Sequence, residues 1–274
     1  MKHMIIDTHA HIGRMIGFNM TEEQLLYSME KYGIDFSLVS NIEAAECAHN
    51  GMTIPRILQK SQLRVLKSTL DVARRNPDKI GAVIWIKLMK LDLSEEFLRV
   101  FDENRELIYG IKLHPFHSRT APDDSKLAPV YELARKYSLP VVSHTGGCEE
   151  ARSVHLYNAA KENPDINFVM VHMDLGTDHM EAVDLMCRLP NLYGDTTWVD
   201  TAATLEAVRR AGSEKILFGT DNPIDGRDTL LHNKTGDRSL YQEYFNEFRG
   251  QVSEEDYANI MYKNAQRIFL RRSK

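Results

Sequence analysis

The chain has 274 residues, enough for one large domain or two modest ones and for a substantial buried core. A formal net charge of -5, from 34 Lys plus Arg against 39 Asp plus Glu, gives no electrostatic case for binding nucleic acid. No apolar run is long enough to span a bilayer, and Asp7 interrupts the short N-terminal one, which reads against a signal peptide.

The first complete phrase is "MIIDTHAHIG". Its apolar run predicts a strand over residues 4–9 that leads directly into His9 and His11. Side chains alternate faces along a strand, so His9 and His11 project from the same side. Two imidazoles held together repel if both are protonated, but as neutral rings they can share a cation. Further apolar runs predict strands at 36–40, 81–87, 109–114, 140–144, 167–172, 191–196 and 215–220. Between them lie segments with helical spacing, such as "EEQLLYSMEKYG", "RILQKSQLRVLKSTLDVARRNP" and "AATLEAVRRAG", several ending at Gly or Pro. The last strand is followed by "SLYQEYFNEFRG", also read as helical.

Eight strands, each followed by helical sequence, imply parallel strands in an α/β (β/α)8 barrel. An open doubly wound sheet is the alternative, weakened because no strand is followed by a glycine-rich phosphate-binding motif. No linker or low-complexity tract interrupts the chain, so residues 1–274 read as one barrel domain. Three scattered cysteines, Cys47, Cys148 and Cys187, form no C-x-x-C pair and read as reduced thiols of a cytoplasmic protein.

In such a barrel the chemistry sits at the C-terminal ends of the strands. His9 and His11 end the first, Lys112 and His114 the fourth, His144 the fifth and His172 the sixth, while the eighth runs into Asp221. Five of the eleven histidines at strand ends, with a carboxylate at the last, point to a metal site.

"DTHAH", a histidine after each of strands 5 and 6, and "FGTDNP" after strand 8 together resemble the amidohydrolase superfamily, most closely its amidohydrolase-2 branch. Supporting phrases are "NPDKIGAV", "NLYGDTT" and "NAQRIF", so the resemblance spans nearly the whole chain. It implies that His9, His11, His144 and Asp221 hold one divalent metal, Zn2+ first, with Mn2+ or Fe2+ as alternatives. It implies further that the metal lowers the pKa of a bound water, that Asp221 takes the proton, and that His172 moves protons or polarises the substrate. Some members of the superfamily carry a carboxylated lysine on strand 4. If Lys112 were modified in that way it would bridge a second metal, and His144 and His172 would move to it. As a free ammonium, Lys112 would instead neutralise a substrate carboxylate, or pair with a buried Asp7 or Asp195. One metal and a free lysine are expected.

Lys112 and His114 are thus assigned to substrate binding. With Arg14, Arg119, Arg152 and Arg227 in the βα-loops, they suggest a small anionic substrate. The loop "ECAHNGMTIP" and the stretch after it either cover the site or form a contact in a homo-oligomer. The remaining histidines, His3, His49, His117, His155, His179 and His232, receive no role. The leading expectation is a metal-dependent hydrolase cleaving a C–N or C–O bond in an amide, lactone or ester. The alternatives are a non-oxidative decarboxylase of a small aromatic acid on the same metal, and a non-catalytic ligand-binding barrel.

Overall fold

A computed structural model describes residues 4–15, 17–224 and 240–270. Strand β1 (Ile6–Met15) turns back on the short β2 (Phe18–Met20) and is followed by helix α1 (Glu22–Tyr32). Then come β3 (Phe36–Asn41), α2 (Gln62–Arg75), β4 (Ile80–Trp85), α3 (Glu95–Glu103), β5 (Ile108–Leu113), α4 (Ala128–Lys136) and β6 (Val141–Gly146). The series ends with α5 (Ser153–Glu162), β7 (Phe168–Leu175), α6 (Met180–Met186), β8 (Leu192–Asp195), α7 (Thr201–Ala211), β9 (Ile216–Leu217) and α8 (Glu254–Ala258).

All pairings from β1 through β3 to β9 are parallel, and only β2 is antiparallel. The sheet closes on itself. Thr8 N–H donates to the Phe218 carbonyl at 2.9 Å, Asp221 N–H to His9 at 2.8 Å, and His11 N–H to Asn222 at 2.7 Å. The barrel and its eight parallel strands are therefore as expected, with β2 as an addition. Strand β1 runs past residue 9 to Met15, and β9 stops at Leu217, after which Phe218 N–H donates to the Ile260 carbonyl outside the sheet. The described residues of "SLYQEYFNEFRG", from Leu240 on, form tight 3-10 turns, Leu240–Phe245 and Phe248–Gln251, instead of a regular helix.

Alternation along the strands sorts the core into two layers. Ile6, Leu38, Val83, Val142, Val169 and Leu217 pack together inside the barrel with Ala265, Ile268 and Phe269 of the C-terminal segment. Their neighbours Val39, Ala82, Ile84, Val141, Phe168 and Met170 pack outward against the helices. The phrase "NAQRIF" thus closes the bottom of the barrel, with the Asn264 amide donating to the Ser213 and Ile216 carbonyls. Helix starts are fixed locally: the Thr21 hydroxyl accepts from Gln24 N–H in a capping box, and Ser61, Ser94 and Asp200 cap α2, α3 and α7. The three cysteines are unpaired. Among the described residues no helix is long and apolar enough to cross a membrane.

Candidate metal centre and cavity

His9 and His11 leave β1 on the same side, their rings edge to face with centroids 4.6 Å apart. Their Nε2 atoms lie 3.0 Å from each other, and 3.1 and 3.0 Å from Oδ1 of Asp221. Asp221 reaches them because its own N–H bonds to the His9 carbonyl, which fixes the left-handed residue (φ 64°) against β1. Three donor atoms at this spacing fit neighbouring corners of one coordination shell with bonds of about 2.1 Å.

The protonation of His9 and Asp221 suits a cation. Burial, and then the nearby Lys112, hold the pKa of His9 well below the usual imidazole range, so its ring is neutral. Burial alone would raise the Asp221 carboxyl, but hydrogen bonds to His11 and His9 outweigh it and keep the group ionised. Were His9 to hold a metal through Nε2, its ring proton would sit on Nδ1, 3.2 Å from Lys112 Nζ. Only an uncharged amine can accept that proton, and burial pulls the lysine pKa in that direction against the carboxylates of Asp195 and Asp221. On the other ring, Nδ1 of His11 faces the Ser40 hydroxyl at 3.0 Å, the kind of outer partner that orients a ligating imidazole.

The other expected residues are placed differently. His144 stands outside the trio, its Nε2 donating to the Gly146 carbonyl at 3.2 Å, and its ring is 4.7 Å from that of His172. His172 donates from Nδ1 to the Thr197 carbonyl at 3.1 Å, which leaves the Nε2 lone pair free. Burial lowers its pKa to about 4, so the ring is neutral. Lys112 is buried beside His9 and does not line the cavity above the trio. His114 does line it, sandwiched between Trp85 (4.5 Å) and His144 (4.3 Å) in a near-parallel stack.

That cavity, of about 500 Å³, is walled mainly by rings and aliphatic groups, including Phe18, Ile42, Phe116, His117, Leu175 and Trp198. The loop after β3 covers it through Ile42 and His49. No Lys or Arg side chain lines it among the described residues. Arg14 bonds to Asn19 at 2.6 Å and Arg152 to Glu181 at 3.0 Å, both at the surface. Arg119 stacks over the Phe116 ring, behind the wall, and Arg227 lies outside the described residues.

Trp198 has no counterpart in the sequence reading. Its Nε1–H donates to Oδ2 of Asp221 at 2.8 Å, the oxygen that the histidines leave free. The only signal for it was a tryptophan just beyond the end of strand 7, in "GDTTW". Asp195 was noted only as a partner for Lys112. Its carboxylate also accepts from the N–H groups of His172 and Thr197, at 3.0 and 3.1 Å, and so ties β7 to the Trp198 loop.

Comparison with solved structures gives the same architecture. A 2,6-dihydroxybenzoate decarboxylase complexed with 2,6-dihydroxybenzoate superposes with a TM-score of 0.74 at 16% identity, covering 98% of this chain and 99% of that one. A dihydroxybenzoic acid decarboxylase from a Polaromonas species, with bound manganese and 2-nitroresorcinol, gives 0.71 at 14% identity, over 98% and 97%. A probable 2-pyrone-4,6-dicarboxylic acid hydrolase from Acinetobacter baumannii, with citric acid bound, gives 0.66 at 12% identity, over 97% and 99%. At such identities the likeness carries the fold alone. No curated protein matches the chain. The family model described as amidohydrolase, that of the amidohydrolase-2 branch, matches residues 6–271. Membership implies catalysis, and the alternative of a non-catalytic binding barrel gives way to it. The chain belongs to the amidohydrolase family of metal-dependent enzymes, as a member of its amidohydrolase-2 branch.

Proposed function

We propose that this single barrel is a cytoplasmic non-oxidative decarboxylase of a small planar aromatic acid. The observation that carries the reading is the cavity: ring-walled, directly above the trio, and without a fixed cation among its described lining residues. Flat stacked walls suit a flat ring. An apolar wall also penalises a localised carboxylate more than the dispersed charge of a transition state losing neutral CO2. Of the loop arginines from which a small anionic substrate is expected, Arg14, Arg119 and Arg152 do not line that wall.

His9, His11 and Asp221 would hold one divalent ion, with His144 as fourth donor once its Nε2 leaves the Gly146 carbonyl. Two or three imidazoles and a carboxylate suit Zn2+, Mn2+ or Fe2+, and the manganese in the Polaromonas decarboxylase favours considering Mn2+ equally with Zn2+. Such an ion would polarise an oxygen of the bound acid. When the ring–carboxylate bond breaks, the electron pair stays on the ring carbon, which must then take a proton. Asp221, ionised, and His172, neutral with a free Nε2, can each take a proton from a ring hydroxyl and return it to carbon. His114, which lines the cavity, would hydrogen-bond the substrate. Lys112 orients His9 from behind.

Hydrolysis of an amide, lactone or ester is the second reading. The ionised state of Asp221 favours it, since attack by water needs a base. A panel separates the two readings: hydroxybenzoates followed by CO2 release, and aryl lactones and amides followed by acid release. CO2 from a hydroxybenzoate is expected. Turnover confined to the lactones or amides would replace the decarboxylase with the hydrolase. In either case Asp221→Asn should lower turnover by about 10²–10⁴-fold while substrate affinity changes far less. A variant as fast as wild type would pass the proton role to His172.

A further inference from the structure

At the end of β7 three consecutive residues, His172, Met173 and Asp174, have left-handed backbones with φ of 71°, 44° and 66°. None is glycine. Side-chain sterics disfavour this region for L-residues, which enter it singly when they enter it at all. Such a backbone persists only where its surroundings over-determine it.

Here the restraints are identifiable. His172 N–H donates to Asp195 Oδ1 at 3.0 Å, and Asp174 N–H to the Thr145 hydroxyl at 2.9 Å. The Asp174 carboxylate accepts from Ser153 N–H at 2.7 Å and from the Ser153 hydroxyl. The carbonyls of His172 and Met173 both face Nδ1 of His179, at 3.1 and 2.9 Å. A carbonyl only accepts, so His179 carries its ring proton on Nδ1 and shares it between the two. His179 is buried, yet it does not line the cavity, so no contact with substrate accounts for it.

We propose that His179 is a positioning residue: by clamping two carbonyls of the left-handed turn, it aims the His172 ring into the cavity. The proposal rests on the reading of His172 as a proton carrier. If the turn relaxed to negative φ, the Cα–Cβ bond of His172 would swing. Its ring would then leave the Thr197 carbonyl and its places 4.7 Å from the His144 ring and 5.6 Å from the His9 ring.

Two substitutions test this in the full-length, zinc-loaded protein. His179→Leu removes the donor. His179→Asn keeps an N–H close to the place of Nδ1 and tolerates the left-handed backbone that residue 179 adopts (φ 67°). The readout is the ring signals of His172 in ¹⁵N-histidine NMR, assigned by their loss in His172→Gln, together with turnover of 2,6-dihydroxybenzoate. The Leu variant is expected to displace the His172 signals and lower kcat by about 100-fold, the loss typical of a misaimed catalytic group, with KM and bound zinc unchanged. The Asn variant is expected to restore both signals and kcat. His172 signals unmoved in the Leu variant overturn the proposal, and so does an Asn variant as impaired as Leu. Should Leu fail to fold at this left-handed position, His179→Gly accepts the backbone freely and takes its place, with the same two outcomes. Full turnover in His172→Gln would sink the proton-carrier reading instead, while the ring signals would still decide whether His179 positions His172.

Discussion

The ends of β1 and β7 both deliver histidines to the mouth of the barrel, by opposite means. In β1 the ladder to β3 is irregular between Asp7 and Ala10, yet residues 7–11 all keep negative φ, and the alternation of the strand places His9 and His11 side by side, Nε2 atoms 3.0 Å apart. In β7 the last residues are left-handed and are held by groups from four other places: Thr145, Ser153, His179 and Asp195. The first arrangement is local, so it depends on few neighbours. The second is assembled from distant parts of the chain and should be sensitive to each of them. The left-handed residues Trp198 and Asp221 also lie at this mouth, so backbone strain gathers where the site is built.

The largest expected effect lies on the β1 side. Replacing His9 and His11 together with Ala should abolish both activity and bound metal, which in wild type should be about one equivalent per chain. The loss of metal affinity should exceed the 10–100-fold typical of outer-shell partners. Metal analysis of the purified variant measures it directly. A double variant that keeps its metal would show that the β1 pair is not the anchor, and the contrast with β7 would collapse.

A pair of glycine substitutions comes next, because a glycine at positive φ stands against each region: Gly13 within β1, and Gly146 at the end of β6, facing the β7 turn. At Gly146 (φ +97°) a Cβ would stand 2.2 Å from the backbone nitrogen of Leu175, on the β7 turn itself. At Gly13 (φ +105°), on β1, it would stand 2.2 Å from Oδ1 of the Asn41 side chain. A side chain can rotate away and a strand backbone cannot. Gly146→Ala should therefore cost about 3 kcal/mol and Gly13→Ala about 1–2 kcal/mol. Urea unfolding of both variants tests the order, and equal costs would mean that the β7 turn gives way as easily as a side chain.

The contrast also explains what could be read from sequence. The eight parallel strands stood out because they are buried on both faces and read as apolar runs, and the helices because their caps are local. His9, His11 and Asp221 were legible as polar residues at the ends of such runs. The β7 turn was not, since "HMD" contains no glycine to announce a positive φ. His144 was expected among the ligands, but which way its ring faces depends on a bond to the Gly146 carbonyl that no spacing encodes. Arg14, Arg119 and Arg152 do not line the cavity for a related reason: whether a loop cation faces a cleft or pairs outside is decided by partners such as Glu181, 29 residues along the chain from Arg152. Trp198 carries no such signal, because its hydrogen bond to Asp221 joins two separate loops.

The smallest effect concerns Asp174, the carboxylate inside the β7 turn. Burial raises its pKa above the usual aspartate value, although hydrogen bonds from Ser153 oppose the shift. In the unfolded chain the group titrates near the ordinary value of about 3.9. Between that value and its higher folded one, the native state binds more protons than the unfolded state, so stability falls as pH rises through this window and levels off above it. Asn at 174 cannot ionise, can still accept from Ser153 through its carbonyl oxygen, and tolerates the left-handed backbone. Asp174→Asn should therefore flatten the decline of Tm with rising pH above about 4, while shifting stability at neutral pH by no more than about 1 kcal/mol. Thermal melts of both proteins at several values between pH 4 and 7 would measure the difference in slope. Identical slopes would mean that Asp174 titrates as it does in the unfolded chain, and that burial in the turn leaves its charge fully compensated.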